Sequence, residues 1–225
     1  GERIKAALKG FSLGEFKPEF PGVAEPRTGK SMGESCEDMA KQWQIRREDQ
    51  DLLAYESHQK AAAAYARGFY SDLVMPLRGL DKDNILRPDT TLEKLATLKP
   101  AFDKRSGNGT LTAGNSTNLS DGASAALLSS EAWAQANGKE IQAYLVDAQV
   151  AAVDFVAGEG LLMAPAWAVA QLLKRNNLKL QDFDFYEIHE AFAAQVLCTL
   201  KAWESEEFCK TKLGMDGELG SIDRR

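Results

Sequence analysis

A histidine set between a strand-like run and a helix-like run is the arrangement in this chain best suited to chemistry. In Tyr186-Glu-Ile-His-Glu-Ala-Phe-Ala-Ala194, the stretch from Phe183 to Ile188 reads as a strand and Glu190 to about Trp203 as a helix, with His189 at the junction. An imidazole placed there can face a cleft, and the unpaired amide N–H groups of a first helical turn add positive potential beside it. Together they can hold a water or a developing oxyanion. The same position also suits a hydrogen-bonded histidine whose role is structural. A second candidate is the glycine-rich stretch Thr112-Ala-Gly-Asn-Ser-Thr-Asn-Leu-Ser-Asp-Gly122, where small residues and open backbone let a ligand approach closely. Asn115 and Thr117 also have a simpler reading there, as turn formers that bond their local backbone.

The remaining chemistry-bearing residues argue against other functions. Cys36, Cys198 and Cys209 have no metal-ligand spacing, and with only two histidines beside them a zinc site is not expected. An odd number of cysteines without a secretory signal points to reduced thiols in an internal compartment. Cys36 and Cys198 fall at helical spacing among apolar neighbours, and Glu37 and Asp38 raise the pKa expected for the Cys36 thiol. No Gly-x-Ser-x-Gly turn supports a serine hydrolase built on His189. The balance of 27 basic against 33 acidic residues, a net charge of −6, disfavours nucleic acid and anionic membrane surfaces. No apolar run reaches the roughly 18 residues of a membrane span.

Positioning His189 and the glycine-rich turn requires a scaffold, and 225 residues with 44% apolar content suffice for a globular core. The first thirty residues, with Pro18, Pro21 and Pro26, read as an irregular arm holding one short helix. Ser31-Met-Gly-Glu34 has the capping-box pattern, and Met32, Cys36, Met39, Ala40 and Trp43 repeat at helical spacing. Arg47 to about Arg67 is an Ala-rich helix closed by Gly68. Leu73 to Leu77 reads as a strand, Lys82 to Ser106 as a polar surface excursion, and Thr110 to Ala113 as a strand entering the glycine-rich turn. Asp121 opens an apolar helix through Ala123, Ala126 and Leu127, and a further helix ends at Gly138. The run from Ile141 to Val156 is strand-like, and Pro165 to Asn176 is helical with proline in its first turn. This alternation predicts an α/β fold, a sheet layered between helices.

The order of these segments resembles the thiolase family. His189-Glu-Ala-Phe192 is similar to the family's Asn-Glu-Ala-Phe motif in its histidine variant, of the branch that includes trifunctional-type thiolases. Ala113-Gly-Asn-Ser-Thr117, continued by Asp121-Gly122, looks like the segment lining the coenzyme A pantetheine channel. Lys30-Ser-Met-Gly-Glu34 looks like the Met-Gly motif of the loop domain, although Ser31 stands where many relatives have histidine. Gly158-Glu-Gly160 with Pro165-Ala166 looks like the glycine-proline turn ahead of the next helix. The resemblance runs from residue 28 to residue 223. It implies a partial thiolase-like layered fold: a loop domain over 1–118 for coenzyme A binding and assembly, the end of the amino-terminal core half over 119–140, and the first part of the carboxyl-terminal half over 141–225. It also implies His189 as oxyanion or water holder, and Ala113, Thr117, Phe192 and Met32 as contacts for substrate or coenzyme A.

Further implications are acyl transfer between coenzyme A and an enzyme cysteine, with acyl-CoA thioester as substrate and no covalently bound cofactor. A homo-oligomer, dimer or tetramer, follows from the same resemblance, with association to a hydratase/dehydrogenase subunit and a bacterial cytosolic or mitochondrial-matrix setting. Thiolases place their two cysteines and activating histidine in Cys-x-Ser, Cys-x-Gly and Gly-His-Pro, and this sequence contains none of them. With Gly1 at the start and Ile222-Asp-Arg-Arg225 at the end, the expectation is a fragment of a longer enzyme, inactive alone. The alternative is a non-catalytic module that binds coenzyme A or drives assembly.

Overall fold

Helix α6, Ala193–Trp203, is apolar around nearly its whole circumference: only Leu197 and Lys201 of its eleven residues escape full burial. A helix of that composition must be enclosed by others, and the computed structural model, which describes residue 9 and residues 22–224, encloses it on several sides. Around it pack α1 (Met32–Gln42), α2 (Arg47–Ala66), α5 (Ala164–Asn176) and α7 (Glu206–Thr211). Short α3 (Leu92–Ala96) rests on α2, and α4 (Glu131–Ala136) and a 3-10 turn at Leu180–Asp182 complete the regular elements described. The amino-terminal arm read from the sequence lies largely outside the described residues.

The helix boundaries follow local chemistry. Ser31 Oγ accepts the Glu34 amide at 3.2 Å while the Glu34 carboxylate accepts the Ser31 amide at 2.8 Å, so the capping box forms in full. Its buried stripe is Cys36, Met39 and Ala40, facing α6. Ala-rich α2 ends where Gly68 takes φ +75°, a left-handed conformation that glycine reaches without strain. Pro165 sits in the first turn of α5, whose end is set by Asn177 at φ 53°. Aromatic rings fill the seam between helices: Phe208 of α7 lies edge-on to both Trp43 and Trp167, at 5.2 and 5.1 Å between centroids.

Several expectations are corrected. Among the described residues no sheet is present, only isolated antiparallel bridges such as Pro100 to Thr112 and Ser116 to Phe192. Residues 73–77, 110–113, 141–156 and 183–188, read as strands, run without a ladder. The helix expected from Asp121 is absent, and residues 118–130 have no regular structure. The physical reason is shared. A strand is stabilised by pairing with neighbours on both edges, and a short helix by burying its apolar stripe. Here the strand-like runs have no neighbouring strand, so there is no sheet for the 121–130 segment to cover. Val146, Val150 and Phe185 are 85%, 88% and 92% exposed, and Leu127 and Leu128 are also exposed. Helix α6 also starts later than expected, at Ala193 rather than Glu190.

So much exposed apolar, strand-forming surface promotes self-association. Light scattering on a size-exclusion column should give a mean mass that rises with concentration, and the double variant Val146→Asp, Phe185→Asp should lower it. A single monomeric mass at every concentration would count against this.

Candidate active site

The glycine-rich turn carries the residues most open to a ligand, and three buried polar side chains on the helices hold it. Glu37, on the buried face of α1, accepts the amide N–H groups of Thr110 and Leu111 at 2.8 and 3.0 Å and the Thr110 hydroxyl at 2.8 Å. Gln50 of α2 donates to the same hydroxyl at 3.0 Å. Asp51, paired with Arg47 at 2.7 Å, accepts from the Asn115 amide at 2.9 Å. Asn115 in turn accepts the Thr112 amide at 2.8 Å, which folds the turn on itself. The turn-forming reading of Asn115 is therefore realised, and its side chain is buried. Gly114 is closely packed: a Cβ there would stand 2.6 Å from the ends of the Leu95 and Leu98 side chains, which would have to shift.

From this anchored turn the backbone reaches the segment that follows His189. The Thr117 amide donates to the Ala191 carbonyl at 2.7 Å and the Ala193 amide to the Asn115 carbonyl at 3.1 Å, bracketing the Ser116 to Phe192 bridge. The two motif segments, distant in sequence, thus meet through their main chains. Beside the junction opens a cavity of about 430 Å³, whose lining includes Ala113, Thr117, Glu190, His58, Arg87 and Leu95.

The five expected site residues are not gathered equally. Ala113 and Thr117 line the cavity and are exposed to it. His189 is exposed and outside any regular element, four residues before Ala193, and its neighbour Glu190, not His189, lines the cavity. The expected position of His189 at the helix start is corrected accordingly, and the Ala193 amide of the first turn is spent on Asn115. Phe192 is 7% exposed and packs edge-on against Phe102 at 5.8 Å. Met32 is 62% exposed and apart from this cavity, while its neighbour Gly33 lies so close to the Phe102 ring that a Cβ would fall 2.1 Å from it. Sequence reasoning passed over Glu37, Asp51, His58 and Arg87. An acid on the apolar stripe of Cys36, Met39 and Ala40 was the available signal for Glu37, since buried carboxylates need partners.

The thiols lie in the core. Cys36, Cys198 and Cys209 are fully buried. Burial pushes the Cys198 thiol up to about 12. It raises Cys36 further still, with Cys198 and Glu37 adding to the effect, and raises Cys209 as well. None of the three is prepared to act as a thiolate.

Comparison with known proteins follows the same residues. The family model for "Thiolase, N-terminal domain" matches residues 13–132 and that for "Thiolase, C-terminal domain" matches residues 139–221. A 3-ketoacyl-CoA thiolase of Shewanella loihica is 42% identical over 224 residues, covering 97% of this chain and 50% of that protein. A 3-ketoacyl-CoA thiolase of Pectobacterium carotovorum is 41% identical over 230 residues, covering 100% of this chain and 52% of that protein. Among solved structures, the crystal structure of the Bacillus anthracis acetyl-CoA acetyltransferase superposes with a TM-score of 0.69 at 33% identity, over 92% of this chain and 53% of the other. The chain thus spans about half the length of the curated relatives it matches, and its fold is thiolase-like in part.

Two outcomes are expected from this geometry. Glu37→Ala leaves two buried amides without an acceptor and should destabilise the chain by about 3 kcal/mol in urea titrations; an unchanged midpoint would remove Glu37 from its anchoring role. At pH 8 iodoacetamide should leave the folded chain unmodified and alkylate all three cysteines in denaturant, as followed by intact mass. Rapid labelling of Cys36 or Cys198 in the folded chain would contradict their raised pKa.

Proposed function

The chain belongs to the thiolase family, and on that premise we propose that it forms the coenzyme A-facing part of an acyltransferase. The reaction is movement of an acyl group between coenzyme A and an enzyme cysteine, in cleavage of 3-oxoacyl-CoA or condensation of acetyl-CoA. The observation that carries this reading is the main-chain pairing of Asn115 and Thr117 with Ala191 and Ala193. It puts the glycine-rich turn and the His189 segment side by side at one cavity, lined by Ala113 and Thr117.

In this reading Ala113 and Thr117 form the wall along which the pantetheine arm lies, where small side chains keep backbone and ligand close. His189 acts as an electrophile. It donates a hydrogen bond, directly or through a water, to a thioester oxygen whose negative charge grows in the transition state. Its exposure, outside any regular element, leaves the imidazole able to turn toward such a ligand. Phe192 borders the same region through the core contact with Phe102 that supports the paired backbone, whereas exposed Met32 meets the ligand outside the cavity. The loop domain over 1–118, the two core portions over 119–140 and 141–225, assembly as a dimer or tetramer with a hydratase/dehydrogenase subunit, and a cytosolic or matrix setting belong to the same proposal.

Because the thiols are buried with raised pKa, the chain alone binds without turning over. That observation also supports a second reading, a non-catalytic module for coenzyme A binding or assembly. Calorimetric titration with coenzyme A and a thiolysis assay on 3-oxoacyl-CoA test both: binding without thiolysis is expected, and thiolysis by this chain alone would overturn the reading. His189→Ala, placed in a thiolase of the relatives' full length that carries this segment, separates the two. It should lower turnover by roughly 100-fold, the usual cost of one oxyanion donor, and change coenzyme A affinity little; unchanged turnover would remove His189 from catalysis.

A further inference from the structure

One wall of the cavity is a loop with little support of its own. Residues 83–88 are mostly exposed, contain no regular element and end on a proline. The loop closes on itself through Arg87, whose guanidinium donates to the carbonyls of Asn84, Ile85 and Leu86 at 2.8, 2.9 and 3.2 Å. This makes a compact turn, yet nothing in those bonds fixes it to the body of the molecule. Three side chains of α2 supply that attachment. The Arg87 amide donates to His58 Nδ1 at 3.3 Å, Gln59 Nε2 donates to the Pro88 carbonyl at 3.3 Å, and the Asp83 amide donates to the Tyr65 hydroxyl at 3.0 Å. His58 and Tyr65 are seven residues apart and share one face of the helix. Each bond joins a side chain of α2 to loop backbone, so the loop is held by its path and not by its side chains.

We propose that His58 is a positioning residue: with Gln59 and Tyr65 it clasps the 83–88 backbone to α2, so that Ile85, Arg87 and Thr90 stand opposite Ala113 and Thr117 as the second wall of the cavity. The ligand concerned is the coenzyme A thioester, so the proposal rests on the functional reading above. His58 is placed for this task. It lines the cavity itself, lies half-buried, and presents Nδ1 as an acceptor to a backbone N–H, which fixes the ring proton on Nε2. Only a side chain with an unprotonated acceptor at that reach can take over the bond. Asn offers one, its Oδ1 standing close to where Nδ1 stands, and Ala does not.

The test uses the whole chain in three forms: unsubstituted, His58→Ala and His58→Asn. Hydrogen–deuterium exchange of peptides covering 82–91 reads the clasp, calorimetry with coenzyme A reads the cavity, and urea titration reads global stability. In His58→Ala the Arg87 amide should exchange about tenfold faster and the Kd for coenzyme A rise about tenfold, the worth of one hydrogen bond. The urea midpoint should hold, and His58→Asn should restore both. Unchanged exchange in His58→Ala overturns the clasp whether or not coenzyme A binds. Faster exchange with unchanged affinity overturns its role in the cavity, and failure of Asn to restore either quantity overturns the acceptor argument. If the unsubstituted chain binds no coenzyme A while the exchange signature holds, the functional reading falls and the clasp stands as a fold contact only.

Discussion

The site depends on one short stretch of main-chain pairing, Asn115 and Thr117 against Ala191 and Ala193. Two hydrogen bonds on otherwise flexible loops would exchange rapidly with water if nothing else fixed the strands that make them, because the net gain of such a bond is only about 1 kcal/mol. What makes them persist is that both partners are anchored independently. Asn115 is tied to Asp51 of α2, and Thr110 and Leu111 to Glu37 of α1, while Ala193 opens the most buried helix of the chain. The pairing is therefore held from both sides by the same packed set of helices, and the cavity opens beside it.

The anchors explain why acids lie in the core at all. Buried carboxylates are costly unless they are paired or hydrogen-bonded. Glu37 and Asp51 meet that condition by accepting from the turn backbone, from its Asn and Thr side chains, and from Arg47. A hydrophobic residue at either position would pack, but could not tell the 110–117 backbone where to lie. The polar core is thus a device of placement: it converts helix positions, which packing determines, into the path of a turn that has no regular structure.

How far the sequence discloses this depends on whether the deciding interactions are local. Ser31 with Glu34, Gly68 after α2 and Pro165 in the first turn of α5 act within a few residues, and the helices they bound were legible for that reason. The strand-like runs at 141–156 and 183–188 were read correctly as to residue type, but a strand exists only by pairing, and none of the described residues pairs with them. Ala113 and Thr117 are singled out by the resemblance of the glycine-rich segment to the thiolase family, not by the turn chemistry alone, and both line the cavity. His58 is not singled out. Its role comes from a bond to the backbone of Arg87, and a histidine on an Ala-rich helix carries no sign of that. Phe192 shows the reverse case, a residue of a recognisable motif whose ring is spent on Phe102 while its backbone does the joining.

The division of labour within the chain bears on what chemistry it can support. Acyl transfer through a cysteine needs a thiolate, an electrophile for the thioester oxygen, and a surface that holds the thioester. The cavity offers a wall of small residues at Ala113 and Thr117 with the Arg87 loop also in its lining, while His189 is exposed on the neighbouring segment, outside that lining. The first has no counterpart. Each thiol of the chain is in the core, and Cys36 and Cys198 sit on the two helices α1 and α6 that pack together, so forming a thiolate at either would place a charge away from solvent, for Cys36 beside Glu37 and for Cys198 with a Lys201 cation that does not offset its burial. Making one of them reactive would require opening the α1–α6 contact, the same contact that supports Glu37 and through it the turn. For Cys36 and Cys198, serving as nucleophile and supporting the binding wall are therefore opposed demands, since exposing either thiol loosens the anchor on which the turn depends.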